Sequence, residues 1–417
     1  MNTEDHKIHI IGAGISGLIA AKVLEDHGYL PVVIEASDRV GGRVKTDLIN
    51  GYQLDHGFQV LLTAYPAAQK YLDFKALDLQ RFVPGAAIFK SGKQTVIGDP
   101  LRDFSLLFST LFSGIGTLED KLNILKLNKR LKNKALSDIF SEKEKTTLAY
   151  LQDVGFSDEM IQQFFKPFFS GIFLEPDLET SSRMFEFVYK MFGEGYAALP
   201  KTGIEAIPKQ LAQNLKTTIF KFNSPVASVK DQEITLKNGE KLKTDFTIVA
   251  TEASGLIQNL SKQAIAWKSC DTLYFETSKR IIKKPLIGLI ADTDALINNI
   301  FYHTSLETGQ TPEKELLSVT IVKNHDLSDT ELIARVRKEL QQFCDIDSCI
   351  FLKQFKISRA LPRLDHVQYE MLPSETRLTS TIFLAGDTQL NGSLNAAMIA
   401  GERAALGVIQ TLNSVRQ

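Results

Sequence analysis

Three glycines near the start of the chain have the spacing of a dinucleotide-binding turn. Gly12, Gly14 and Gly17 follow a short apolar run in the order G-x-G-x-x-G and open a helical pattern. Gly12 permits a tight turn, Gly14 lets the backbone approach a pyrophosphate, and Gly17 lets the helix pack closely on the strand. The helix N-terminus, with Ile15 and Ser16, supplies free N–H groups and the positive end of the helix dipole for that pyrophosphate.

An acidic residue completes this pattern. The β-branched run Val32 to Ile34 ends in Glu35, eighteen residues after Gly17 (35 − 17). A carboxylate near this spacing binds the ribose diol of a dinucleotide, and its charge repels a 2′-phosphate. We therefore predict a strand–turn–helix–strand unit that binds a dinucleotide other than NADP. The alternative is a packing turn in an ordinary α/β domain.

The residues after this acid narrow the cofactor. The segment from Glu35 to Thr46 reads EASDRVGGRVKT. It resembles the E-x-x-x-R-x-G-G-R-x-x-T extension of the flavin-containing amine oxidase superfamily, which includes amine oxidases, protoporphyrinogen oxidases and carotenoid desaturases. The resemblance implies FAD as the cofactor, with Gly42 and Arg43 against its pyrophosphate and ribityl part, and adds Ala36 and Arg39 to the FAD-binding residues. No cysteine or histidine stands at an obvious covalent linkage position, so we expect non-covalent FAD.

Further FAD-binding segments follow from the same resemblance. It assigns Gly57, Phe58 and Gln59 to the isoalloxazine side, Val226 and Thr251 to the adenosine, Gly386 and Asp387 to the ribityl chain, and Ser393, Leu394 and Asn395 to the N1–C2=O edge of the flavin. The last three residues are expected to open a helix whose free N–H groups meet that edge. Because the cofactor segments lie near opposite ends of the chain in the expected order, FAD is favoured over NAD.

Composition excludes several other classes of protein. The chain has 417 residues, of which 44% are hydrophobic and 23% charged, as in ordinary globular proteins. Lys plus Arg (48) balances Asp plus Glu (49), so no nucleic-acid partner is expected. The three cysteines form no C-x-x-C pair and the histidines lack ligand spacing, so we predict neither a disulfide framework nor a metal site.

The order of elements predicts an α/β fold with two domains. The first is a Rossmann-like FAD-binding domain made of residues 1–80, 200–262 and 355–417. The second is a discontinuous α+β substrate-binding domain made of residues 81–199 and 263–354. A chain of this length is long for one hydrophobic core, which also favours two domains.

Aromatic residues crowd one part of the predicted substrate domain. They are Phe164, Phe165, Phe168, Phe169, Phe173, Phe185 and Phe187. The surrounding segment, Lys166 to Ser182, resembles one of protoporphyrinogen oxidases. The phenylalanines either line an apolar pocket for a large flat or polyene substrate or form the core of a helical domain. Amine oxidases place an aromatic cage near the final Gly-Asp motif, whereas residues 376–383 hold a single aromatic.

These observations predict an FAD-dependent oxidoreductase. We expect it to oxidise or desaturate a large hydrophobic substrate, of tetrapyrrole or polyene type, by hydride transfer to flavin N5. The electron acceptor, O2 or a quinone, is left open, and no catalytic side chain is assigned. The alternatives are a flavin amine oxidase and a flavin-binding protein without turnover.

A basic run raises the question of membrane contact. Six cations between Lys121 and Lys134 follow the apolar segment Phe104 to Leu118, and leucines at 118, 122, 125 and 131 suggest an amphipathic helix. Its polar face is either simply solvated or in peripheral contact with anionic lipid. No segment is apolar enough to cross a bilayer, and no signal peptide is recognised before Ile8. We expect a cytoplasmic protein. Any peripheral contact is expected to be with the inner face of the membrane.

Overall fold

The computed structural model describes residues 6–98, 115–310 and 312–415. Most of the apolar segment Phe104 to Leu118 lies outside these residues. The strands of the described residues are β1 (Ile8–Ile11), β2 (Val32–Ile34), β3 (Thr46–Ile49), β4 (Tyr52–Asp55), β5 (Leu61–Leu62), β6 (Leu79–Arg81), β7 (Gly85–Lys90), β8 (Lys93–Gly98), β9 (Ala197–Pro200), β10 (Ile219–Lys221), β11 (Val226–Lys230), β12 (Glu233–Leu236), β13 (Lys241–Lys243), β14 (Phe246–Val249), β15 (Trp267–Thr277), β16 (Ile287–Ile290), β17 (Ile297–Tyr302), β18 (Glu315–Ile321), β19 (Ile350–Pro362) and β20 (Ile382–Leu384).

The helices of the described residues follow the same chain order. They are α1 (Ile15–Asp26), α2 (Pro66–Tyr71), α3 (Leu118–Lys132), α4 (Leu136–Ser141), α5 (Thr147–Val154), α6 (Asp158–Met160), α7 (Lys166–Phe173), α8 (Ser182–Glu194), α9 (Ala206–Gln213), α10 (Asp329–Cys344) and α11 (Leu394–Val415). A π-helical turn, Ile161–Phe165, joins α6 to α7.

A parallel sheet carries the N-terminal glycine turn. Its strand order is β10-β2-β1-β14-β20, and every pair in it is parallel. The central strands are buried on both faces, which is why β1 and β14 are continuous apolar runs. The predicted strand before Gly12 and the predicted buried strand before Thr251 are both confirmed, and the structure shows that they are parallel neighbours in one sheet.

Two helices from opposite ends of the chain pack together above this sheet. A Cβ at Gly401 of α11 would lie 2.2 Å from the carbonyl oxygen of Ser16 in α1. The Ser16 Oγ also donates a hydrogen bond to the Ala397 carbonyl oxygen at 2.7 Å. The absence of a side chain at Gly401 is what lets α11 approach α1 this closely.

A second sheet forms the body of the substrate side. Its strand order is β19-β15-β18-β17-β16-β7-β8, with only the β16–β7 pair parallel. Helix α10 covers part of it, and the predicted capping box of Ser328 and Glu331 opens that helix. The predicted apolar stripe of α10 is buried as expected, at Leu332, Val336, Leu340 and Phe343.

The remaining helices, α3 to α8, form a layer held by buried polar contacts. The Glu186 carboxylate, 2% exposed as a residue, accepts a hydrogen bond from the Tyr150 hydroxyl and pairs with Lys134. The Lys190 ammonium donates to the Leu131 carbonyl oxygen at 2.7 Å, near the end of α3. A buried charge is tolerated only when it is paired or hydrogen-bonded, so these contacts fix the helices relative to one another.

Three strands run across the predicted domain boundaries. Strand β6 spans the boundary at 80/81, β9 the boundary at 199/200, and β19 the boundary at 354/355. The two-domain division stays a prediction. Each of these three strands contains residues from both predicted domains, so the two parts are joined through strands and not through a single linker.

None of the helices in the described part of the chain is both long enough and apolar enough to span a membrane.

A buried carboxyl group ties β3 and β4 to the segment before α9. The Asp55 Oδ1 accepts hydrogen bonds from the Thr46 hydroxyl at 2.5 Å and from the Ile204 N–H at 3.1 Å. Burial raises the pKa of Asp55 to about 6, although both hydrogen bonds act in the opposite direction. The folded protein therefore holds this proton more tightly than the unfolded chain, whose ordinary value is 3.8.

This raised pKa predicts the pH dependence of stability. The contribution of Asp55 is complete below its unfolded value and is lost as pH rises through about 6. Asp55→Asn retains an oxygen for both donors and cannot ionise, so it should remove that loss. The measured quantity is the unfolding free energy of the variant minus that of wild type. We expect this difference to be up to about 3 kcal/mol larger at pH 8 than at pH 4. Denaturant unfolding at a series of pH values measures this, with the exposed Asp38→Asn as control. Parallel pH curves for Asp55→Asn and wild type would contradict the assignment.

Candidate functional site

One large cavity joins the glycine turn to the helical layer. Its volume is about 1370 Å³, and its lining runs from Gly12 and Glu35 at one end to Phe164 and Ile172 at the other. Pockets for one drug-sized ligand measure about 300–1,000 Å³. The cavity is therefore large enough for a dinucleotide and a second molecule together.

The first wall of the cavity is the turn between β1 and α1. Gly12 has a φ of +102°, a conformation that favours glycine, and Gly14, Ile15 and Ser16 line the cavity beside it. A Cβ at Gly17 would lie 2.0 Å from the Gly12 carbonyl oxygen. Gly17 therefore serves the close packing of helix on strand and does not line the cavity.

Glu35, the residue predicted to contact the ribose, lines the cavity near the first glycine turn. Its Oε2 accepts the Ala13 N–H at 2.7 Å, and its Oε1 accepts the Ser37 N–H at 2.8 Å. The carboxylate lines the cavity, and an ionised carboxylate offers about four acceptor positions. Glu35 is thus fixed in orientation by the backbone and retains acceptor capacity for ligand hydroxyls.

A second glycine loop closes over the first. The Gly41 N–H donates to the Ala13 carbonyl oxygen at 2.9 Å. Gly42 has a φ of +61°, and a Cβ there would lie 3.3 Å from the Gly14 Cα. Two layers of bare backbone therefore face each other at the cavity, which is the arrangement a pyrophosphate needs for close approach.

The motifs from the two ends of the chain meet in an ion pair. The Arg43 Nη2 lies 2.5 Å from the Asp387 Oδ1, and its Nη1 donates to the Ala360 carbonyl oxygen at 3.0 Å. The guanidinium carbon also lies 5.2 Å from the centre of the Trp267 ring. Arg43, Trp267 and Asp387 all line the cavity. Their mutual contacts place the predicted ribityl-binding residues together.

The final helix begins at the cavity wall. The Ser393 Oγ accepts the Ala396 N–H at 3.0 Å and so caps α11. Gly386 and Gly392 have φ angles of +124° and +76°, and both line the cavity with Ser393 and Leu394. The predicted helix opening is confirmed, and its free N–H groups lie at the cavity.

The predicted isoalloxazine side also lines the cavity. Gly57 has a φ of +96°, with Phe58 and Gln59 beside it. The Gln59 amide donates to the Arg43 carbonyl oxygen at 3.0 Å. The neighbouring His56 is hydrogen-bonded to the Asp47 carboxylate at 2.9 Å, which gives that histidine a structural partner.

Thr251 also lines the cavity. Five of the residues predicted to bind FAD do not line it. The five are Gly17, Ala36, Arg39, Val226 and Asn395. Arg39 pairs with Asp47 and Glu205, and the Asn395 Oδ1 accepts the Ala67 N–H. These contacts hold the backbone of the site. Whether the five touch the cofactor directly stays a prediction.

The aromatic stretch divides between the cavity and the core. Phe164, Phe168, Phe169 and Phe173 line the cavity. Phe165, Phe185 and Phe187 are fully buried in the hydrophobic core and do not line it. The stretch therefore contributes both to the cavity wall and to the helical core, and the binding of a flat or polyene substrate stays a prediction. Phe192, which the sequence did not single out, adds to the cavity wall.

Several polar residues of the cavity were missed by sequence reasoning. Lys268 of β15 lines the cavity, and its ammonium donates to the Phe173 carbonyl oxygen at 3.0 Å and the Thr180 hydroxyl at 2.7 Å. Burial lowers the pKa of Lys268. Cys270 lies on the same strand, and burial raises the pKa of its thiol to about 12, so this cysteine is protonated at neutral pH. No spacing in the sequence marks either residue.

The described residues contain no cluster of histidine, cysteine and carboxylate side chains that could hold a metal ion.

The fold is that of an α/β protein with a dinucleotide-binding type of glycine turn, and this turn and the phenylalanine wall line one space. The chain matches the family described as flavin-containing amine oxidoreductase over residues 15–409 and belongs to that family. FAD is the cofactor of this class. The glycine loops, Glu35 and the opening of α11 form a cradle that fits it, because Gly14 lines the cavity and a Cβ there would project into open space that the cofactor can use.

Comparison with individual proteins agrees with this assignment. Protoporphyrinogen oxidase 2, chloroplastic/mitochondrial, of Arabidopsis thaliana is 27% identical over 169 residues, which are 40% of this chain and 32% of that protein. The chain matches the first curated relatives over 7% to 32% of their length. The crystal structure of a putrescine oxidase with putrescine has a TM-score of 0.68 at 16% identity, over 97% of this chain and 99% of that one. A fatty acid isomerase from P. acnes that produces CLA has a TM-score of 0.69 at 14% identity, over 96% and 98%. These likenesses show the fold.

The ribose contact can be tested with one matched pair of variants. Glu35→Gln removes the charge that should accept ligand hydroxyls, and we expect FAD affinity to fall roughly 10- to 100-fold, the scale of a lost charged hydrogen bond. Asp38→Asn removes the same charge from an exposed position that does not line the cavity, and it should retain wild-type affinity. Acid release, mass spectrometry and titration of the apoprotein measure the effect. FMN alone in the purified protein, or equal losses in both variants, would contradict the assignment.

Proposed function

We propose that the protein oxidises or desaturates a large hydrophobic substrate of tetrapyrrole or polyene type. The observation that carries this proposal is the continuity of the cavity, because the predicted flavin residues and the phenylalanine wall line the same space. FAD supplies a hydride acceptor at N5 of its isoalloxazine ring. The residues of the chain therefore need to bind the substrate, orient it and exclude water from it, and none of them needs to attack it.

The helical wall performs the binding. The rings of Phe164 and Phe168 stack with centres 5.6 Å apart, and Phe168 contacts Phe192 at 5.4 Å. Such a wall offers broad apolar surface to a flat or extended molecule and excludes water from it. Gly57 on the opposite side keeps a bare backbone where close approach is needed.

Lys268, which lies beside the phenylalanine wall at the Phe173 carbonyl oxygen, disfavours a cationic amine at that point of the cavity. The Lys268 ammonium lies in the cavity and forms no ion pair with a carboxylate among the residues that the structure describes. Its positive charge repels a protonated amine and attracts a substrate carboxylate. We therefore propose hydrophobic acids and neutral polyenes ahead of amines, with O2 or a quinone as the electron acceptor. A substrate that partitions into lipid also favours a cytoplasmic protein in peripheral contact with a membrane.

Anaerobic mixing tests the proposed activity. The yellow protein is mixed with a reduced tetrapyrrole, a polyene or a panel of amines, and the flavin absorbance is followed. Bleaching by the hydrophobic compounds but not by amines is the expected result. Bleaching by amines with peroxide formation in air would replace the proposal by a flavin amine oxidase. No bleaching by any compound would indicate flavin binding without turnover.

A pair of phenylalanine variants separates binding from folding. Phe168→Leu removes a ring from the cavity wall, so the affinity for a fluorescent porphyrin should fall about tenfold with little change in unfolding free energy. Phe185→Leu removes a ring from the fully buried core, so it should cost about 1–3 kcal/mol of unfolding free energy and leave porphyrin affinity unchanged. Fluorescence titration and denaturant unfolding measure the two effects. Equal porphyrin affinity for Phe168→Leu and wild type would contradict the assigned wall.

A further inference from the structure

The outer face of α3 carries a row of leucines that the described structure leaves in solvent. Leu118, Leu122 and Leu125 expose 80%, 56% and 54% of their surface. Their spacing of four and three residues puts them in one line along the helix. Single exposed leucines are ordinary on protein surfaces, whereas a contiguous row is a feature of interaction surfaces.

The opposite face of α3 is firmly anchored. The Asp120 carboxylate is buried and accepts the Ser157 N–H at 2.7 Å, and the Asn123 amide donates to the Gly155 carbonyl oxygen at 3.0 Å. Leu131, the fourth leucine of the predicted amphipathic helix, is also buried on this face, apart from the three exposed leucines. Because the helix already has a packed face, the leucine row is a second apolar surface.

Lysines surround this row and give the face a positive charge. Lys126, Lys129 and Lys132 are exposed, and none of them forms an ion pair with a carboxylate in the described ranges. Two copies of the chain joined through this face would bring like charges together. An anionic surface complements the charge of the lysines. An anionic surface that has an apolar interior, such as a lipid bilayer, also complements the leucines.

The same helix borders the cavity. Lys121, Ile124, Leu125 and Asn128 line it, so the leucine row adjoins the wall of the proposed substrate site. A bilayer at this face would therefore lie next to the wall of the proposed substrate site.

We infer that the outer face of α3 (Leu118, Leu122, Leu125, Lys129 and Lys132) docks on an anionic lipid bilayer. The leucines enter the boundary between headgroups and acyl chains, and the lysines contact the headgroups. Docking itself is independent of the proposed oxidation, whereas the delivery of substrate from the bilayer rests on it.

Vesicle flotation of the full-length holoprotein tests the leucine row. Replacing Leu118, Leu122 and Leu125 together by Ser should lower partitioning onto phosphatidylcholine–phosphatidylglycerol vesicles by about tenfold or more. A matched triple variant replaces Leu48, Ile350 and Leu372, which expose 67%, 54% and 64% of their surface elsewhere on the protein. This control should partition like wild type.

The lysines have a test of their own. Lys129→Gln with Lys132→Gln should lower partitioning onto the anionic vesicles by roughly tenfold and leave binding to pure phosphatidylcholine unchanged. Lys237→Gln with Lys262→Gln removes two exposed lysines elsewhere and should have no such effect.

Three outcomes would overturn the inference. The first is equal partitioning of the leucine variant and wild type. The second is a wild-type dimer in light scattering that the leucine variant dissociates, which would assign the face to a second copy of the chain. The third is a fall in unfolding free energy for the leucine variant alone, which would mean that the chain covers its own leucines. Flavin bleaching in vesicle-free buffer reports the proposed activity separately, so its failure leaves the docking result intact.

Discussion

The close approach of three backbone segments at the start of α1 is the constraint on which the site depends. A side chain at Gly17 would overlap the Gly12 carbonyl oxygen, and one at Gly401 would overlap the carbonyl oxygen of Ser16. With hydrogen at both positions, β1, α1 and α11 pack as one unit. The N-termini of α1 and α11 are thereby brought to the same cavity, although they come from opposite ends of the chain. Two positive helix ends facing one space favour a ligand with negative charge along its length.

The ion pair between Arg43 and Asp387 depends on that packing. The side chain of Asp387 is 8% exposed, and a buried carboxylate is stabilised by a partner of opposite charge. Arg43 supplies it from a loop that Gly41 and Gly42 hold against the first glycine turn. The guanidinium is further oriented by the Ala360 carbonyl oxygen and the Trp267 ring. Four separate segments thus fix one charge pair beside the expected ribityl chain.

The motifs of the cofactor half could be predicted from the sequence because each of them is a short run of neighbouring residues. A glycine at Gly12 or Gly42 is required by its own backbone conformation, and an acid such as Glu35 follows at a set distance along the chain. The substrate half depends instead on contacts between distant segments. Lys268 reaches its partners across nearly a hundred residues, and nothing in its neighbours marks it. The long strand β19 could not be predicted from the sequence because its residues alternate poorly between buried and exposed. Its register on β15 also shifts at two irregular points. The phenylalanines show the same limit, since Phe164 and Phe165 are adjacent in sequence yet one faces the cavity and the other the core.

The two walls of the cavity differ in how freely their residues can change. The sheet wall is built on β15, which pairs with β18 and β19 along most of its length. A substitution that distorts β15 would therefore disturb both the hydrophobic core of the second sheet and the cofactor side of the cavity. The helical wall is held from behind by Glu186 and Lys190, so its cavity-facing rings are supported by contacts that do not involve them. Of these rings, Phe164 and Phe168 are only partly buried, whereas Phe169 and Phe173 also belong to the hydrophobic core, so the first two can be exchanged at lower cost to the scaffold. We therefore propose that the choice of substrate resides in the side chains of the helical wall, because the glycine-based turns on the other side are fixed by backbone geometry.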